Sequence, residues 1–99
     1  MRKNSIHFKI ILIMKQTNSS YKFHVARLSS TPFPQLVEYF NREVGSRAWT
    51  SERSAFDTAL IDAFINKGID VSAVYDGSNI SFRHKVSLNS ESKTLIALA

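Results

Sequence analysis

The stretch VSAVYDGSNISFRHKVSL, residues 71–88, decides the fold. Val71, Ala73 and Tyr75 alternate with Ser72 and Val74, Asp76-Gly77-Ser78-Asn79 supplies turn formers, and Ile80, Phe82, His84, Val86 and Leu88 then alternate with Ser81, Arg83, Lys85 and Ser87. A period of two sends successive side chains to opposite faces of a strand, so the stretch reads as a β-hairpin with a four-residue loop. Residues 89–93 form a second polar turn, and residues 94–98 offer one more strand.

Upstream of the hairpin the period changes. Thr50-Ser51 are helix caps, Glu52 suits the positive end of a helix dipole, and Phe56, Ala59, Leu60, Ala63 and Phe64 mark a buried helical face. Lys67, Gly68 and Ile69 then match a Schellman-type ending. An earlier helix starts near Pro32 or Pro34, where a missing amide donor is harmless, carries Leu36, Val37, Phe40 and Val44 as its stripe, and stops at Gly45. Before it, Tyr21, Phe23 and Val25 alternate with Lys22, His24 and Ala26 as a strand, and Ile10, Ile11 and Ile13 favour another over residues 6–15, with residues 16–20 as the turn between them.

The predicted order is ββααβββ, an α+β domain in which two helices pack on one face of an antiparallel sheet of four to five strands. With 99 residues, 43% of them apolar, and only three Gly and two Pro, the chain is expected to be a single domain over residues 1–99. Met14-Lys15 offers a second initiator, which makes residues 1–13 an extension or an edge strand.

Absent residues exclude whole classes of function. No Cys is present, which removes disulfide frameworks, thiolate metal sites and cysteine nucleophiles. The longest apolar run, residues 10–14, is bracketed by Lys9 and Lys15 and falls far short of the roughly 20 residues needed to cross a bilayer. No membrane partner is expected, and a cytoplasmic location fits. His7, His24 and His84 lack ligand spacing, so no metal is expected, and no cofactor motif is present. There is no nucleophile elbow and no phosphate-cradling Gly loop, and Asp57 and Asp62 are five residues apart, so the chain reads as a non-enzyme.

Charge is the sharpest signal. The formal net charge is +5, with a pI of about 9.8, and residues 1–37, 38–76 and 77–99 carry +6, −3 and +2. The predicted architecture therefore has a basic sheet under an acidic helix layer. Arg83 and Lys85, with Ser81 and Ser87, form a row on the polar side of their strand, which Lys22 and Arg27 extend. Such a row suits an acidic protein surface or a phosphate backbone, although the same pattern is what a helix-covered sheet ordinarily shows to solvent. Trp49, beside Arg47, is expected to plug the end of the core; if it is exposed instead, Tyr39, Arg42, Arg47 and Trp49 form a second patch, for a protein partner. The two helices and their Gly45-containing connector resemble a helix-turn-helix in outline, but Glu52, Asp57 and Asp62 give the second helix the wrong charge for reading DNA.

These features describe a small accessory or regulatory protein that binds a larger acidic partner through a basic sheet face or edge. The alternative is a sequence-tolerant binder of DNA or RNA. The strand at residues 94–98 lacks edge protection by Pro, which adds a homodimer through a sheet edge to the expected partners.

Overall fold

The computed structural model describes residues 19–46 and 50–98. Within them the chain runs α1 (Ser19–Leu28), α2 (Phe33–Glu43), α3 (Ser51–Asn66), β1 (Val86–Asn89) and β2 (Thr94–Ala97). The α+β class stands only in this small form. Three helices and a two-stranded antiparallel sheet replace the expected two helices and four to five strands. The strand expected over residues 6–15 lies outside the described residues.

The first correction is α1. Tyr21, Val25 and Leu28 recur at intervals of four and three, so they share one side of a helix. Tyr21 and Leu28 are buried and Val25 packs beside them, while Phe23 is 64% exposed. Ser19 and Ser20, read as turn residues, instead open the helix.

Helices α2 and α3 follow their local signals. Pro32 has the extended backbone of an N-cap, and Pro34 stands in the first turn of α2. The Thr50 hydroxyl accepts a hydrogen bond from the Arg53 N–H at 3.1 Å, capping α3. At its far end Gly68 adopts φ +84°. The Gly68 N–H donates to the Ile65 carbonyl at 2.9 Å and the Ile69 N–H to the Phe64 carbonyl at 3.0 Å, the paired bonds of a Schellman motif. Ala55, Asp57, Ala59, Leu60, Ile61, Ala63 and Phe64 of α3 are all buried. This helix is therefore the centre of the core, in contact with both α1 and α2.

The second correction is the stretch at residues 71–88. Only its last residues form a strand. The Asp70 carboxylate accepts from the Ser72 N–H at 2.8 Å. The Val74 and Tyr75 amides both donate back to the Val71 carbonyl, at 3.0 and 2.9 Å, which winds the segment into a turn. Val71 and Val74 are buried while Ala73 is exposed, a spacing of three rather than two. What remains of the hairpin is a single bridge between Tyr75 and Ile80. His84, placed on the apolar side by the alternation, is exposed.

β1 pairs with β2 in the register Val86↔Ala97, Ser87↔Ile96, Leu88↔Leu95 and Asn89↔Thr94. Val86 and Leu95 bury into a core that extends through Leu36 and Phe40 of α2 to Leu28 of α1. Asn41 fixes the sheet to α2. Its carbonyl oxygen accepts from the Val86 N–H at 2.7 Å, and its amide nitrogen donates to the Val86 carbonyl at 3.0 Å. One side chain thus satisfies both outward-facing backbone groups of Val86, as a neighbouring strand would.

Candidate functional site

The charge layout differs from expectation. Lys22 and Arg27 are exposed on α1, whereas Arg83 and Lys85 are exposed in the segment before β1. The four cations therefore do not form one row on a sheet face. The acidic helix layer is also spent internally. Glu52 accepts from the Ser20 hydroxyl at 2.8 Å and lies 2.6 Å from His24 Nε2, and the Tyr21 hydroxyl donates to Asp62 at 2.6 Å. The hydrogen bonds from His24 and Ser20 hold the Glu52 carboxyl below its usual range. Burial first, and then Asp62, push the Tyr21 phenol well above its own. The His24 ring packs edge-on against Phe56, with ring centres 5.2 Å apart.

Two of the expected residues, Arg42 of α2 and Lys85 just before β1, line one groove. Pro34, Val37, Glu38, Asn41 and Arg42 of α2 line this groove, together with Val44, the extended residue that ends the helix. Lys85, from the segment before β1, also lines it, and the open groove so formed has a volume of about 600 Å³. Asn41 sets its width, because the clasp on Val86 holds the residue next to Lys85 against α2. The floor is apolar, through Pro34, Val37 and Val44. Arg42 and Lys85 supply two cations against the single carboxylate of Glu38.

Arg42 is steadied by its neighbour, its guanidinium carbon lying 5.0 Å from the centre of the Tyr39 ring. Tyr39 leans in turn on Phe56, with ring centres 6.0 Å apart. Of the second expected patch, Tyr39 and Arg42 thus stand together beside the groove, and Arg47 and Trp49 lie outside the described residues. Arg42, Arg83 and Lys85 enter no ion pair among the described residues.

Behind the groove lies a charge cluster that the sequence did not disclose. Asp57 is 1% exposed. Neither of its carboxyl oxygens has a hydrogen-bond partner, and Oδ2 stands 3.5 Å from Arg53 Nε. Arg53 pairs with Glu43 and donates to the Ser46 hydroxyl at 3.0 Å and the Glu43 carbonyl at 3.1 Å. Burial pushes the Asp57 carboxyl up to about 7, with Glu43 adding repulsion and Arg53 opposing it. Read alone, Asp57 resembled a solvated helix charge. Its position among Ala55, Leu60 and Ile61 was the available signal.

Among the described residues, no group of three or more His, Asp or Glu could hold a metal ion, and no helix is long and apolar enough to cross a membrane. No family model, curated protein or solved structure matches the chain.

Proposed function

We propose that the protein is a non-catalytic binding module whose groove between α2 and β1 receives an acidic, partly apolar segment of a larger protein. The observation that supports this reading is that Arg42 and Lys85 line one groove with Pro34, Val37 and Val44, both without an ion-pair partner among the described residues. A carboxylate entering such a groove finds two cations, and apolar side chains beside it find Pro34, Val37 and Val44. The net charge of +5 adds long-range steering toward an acidic surface.

The test is a fluorescence-anisotropy titration with a labelled peptide of alternating Glu and Leu, its Lys and Leu counterpart, a single-stranded RNA and a DNA duplex, each at low and physiological salt. The acidic peptide is expected to bind. Joint replacement Arg42→Glu and Lys85→Glu weakens it by at least about tenfold, and Lys22→Ala with Arg27→Ala leaves it unchanged. Preferential binding of the nucleic acids, with a salt slope that falls by about one unit per cation removed at Arg83 and Lys85, would replace this reading with the phosphate-backbone one. Absence of binding to every probe would remove both.

A further inference from the structure

The two outer edges of the sheet are closed unequally. On β1, the Asn41 carboxamide occupies the outward N–H and C=O of Val86. On β2, Asp70 covers only the start, its N–H donating to the Lys93 carbonyl at 2.8 Å and its carbonyl accepting from the Leu95 N–H at 3.0 Å. Beyond that point nothing among the described residues covers β2. The Leu98 N–H turns inward to the Lys85 carbonyl at 2.8 Å. By the alternation of an antiparallel ladder, the N–H and C=O of Ala97 therefore point outward. On the face turned away from the core, Ile96 and Leu98 are 42% and 45% exposed.

An uncovered edge without Pro or a bulge is a template for another strand. We propose that a second copy of this chain occupies it, β2 pairing antiparallel with its own copy about a two-fold axis at Ala97 to make one four-stranded sheet. The register is self-complementary. Each Ala97 exchanges both of its backbone hydrogen bonds with its twin, and each Ile96 faces the Leu98 of the other chain, so four apolar side chains that are separately exposed meet on one face. A slip of one residue opposes groups already bonded to β1, and a slip toward Leu95 meets Asp70. Charge permits the same occupant. Each chain carries +5, yet residues 94–98 bear no charged side chain and Lys93 falls outside the paired span, so two basic chains meet on a neutral strip.

Light scattering on the full chain from low to high micromolar concentration, combined with amide hydrogen exchange at Ala97, tests the pairing. The expected result is twice the 11.2 kDa chain mass at high concentration, falling on dilution in step with loss of protection at Ala97. Ala97→Pro removes the outward donor while also fixing φ and restricting Ile96, and Ile96→Lys places a charge in the apolar strip at an exposed position. Each is expected to give the one-chain mass with an unchanged far-ultraviolet dichroism spectrum. A one-chain mass for the unaltered protein throughout the range overturns the proposal, as does a two-chain mass that both variants retain. So does protection of Ala97 that does not vary with concentration in a one-chain particle, because a strand of the same chain then holds the edge.

Discussion

Asp57 places a carboxyl with no hydrogen-bond donor in the core of a small protein, and its cost depends on pH. The folded state raises this carboxyl from an ordinary 3.8 to about 7. Between those values the folded chain holds a proton that the unfolded chain has released. Stability from this group therefore falls as pH rises through that window, and the full cost is present above about 7. The shift corresponds to roughly 2–4 kcal/mol once interior relaxation is allowed for. Glu52 and Asp70 shift the other way, because His24 and the Ser72 N–H favour their charged forms, and their contributions are lost only at more acidic pH. The prediction is that Asp57→Asn flattens the decline in unfolding free energy between pH 5 and pH 8, so that the variant gains on the parent as pH rises. Urea titrations of both proteins at the two pH values measure it, and parallel declines would show that Asp57 stays ionised throughout. At this scale the sequence was least legible. Only the apolar Leu60 and Ile61 one turn on distinguish Asp57 from the solvated acids of a surface helix, and Asn41 has no local mark of a residue that will clasp a strand 45 positions away.

At the scale of the element, the β1–β2 turn carries the only positive φ of a non-Gly residue among the described residues, Lys93 at +53°. The turn is otherwise well made, since the Asn89 carboxamide oxygen accepts from the Glu91 and Ser92 amides at 3.0 and 3.1 Å. A left-handed lysine costs roughly 1–2 kcal/mol through contact of its Cβ with the backbone, part of which glycine returns as unfolded-state entropy. Lys93→Gly is accordingly expected to stabilise the chain by about 0.5–1 kcal/mol, seen as a higher urea midpoint with an unchanged slope. A lower midpoint would mean that the Lys93 side chain makes a contact worth more than the strain. Elements governed by such local chemistry were legible in advance. Thr50, Gly68 and Pro34 each act through bonds or clashes within a few residues, and α2 and α3 follow. α1 was misread because Tyr21, Phe23 and Val25 fit a period of two, and the residue that decides for a helix, Leu28, lies just beyond that window. The turn at residues 71–75 was misread because the Asp70 carboxylate, not hydrophobic period, sets its backbone.

Across the whole molecule, one apolar cluster joins Tyr21 and Leu28 of α1, Leu36 and Phe40 of α2, the buried side of α3, and Val86 and Leu95 of the sheet. The groove depends on that continuity. Arg42 and Lys85 are distant in sequence, and they line one groove only because the sheet is held against α2 by the shared core and by Asn41. No reading of local period could bring them together. A single cluster also implies a single cooperative unit, since a two-stranded sheet has no core of its own and its buried residues belong to the helices' cluster. Leu28 of α1 is 0% exposed and Leu95 of β2 1% exposed, and they belong to the same cluster. Leu28→Ala and Leu95→Ala are each expected to cost about 2–5 kcal/mol. Both should lower the urea midpoint without changing its slope, and both should leave the helical dichroism and the near-ultraviolet tyrosine signal unfolding together. Should Leu95→Ala abolish the near-ultraviolet transition while the helical signal keeps its original midpoint, the sheet would be a separate unit docked on the helices. The width of the groove would then be set by that docking rather than by the fold.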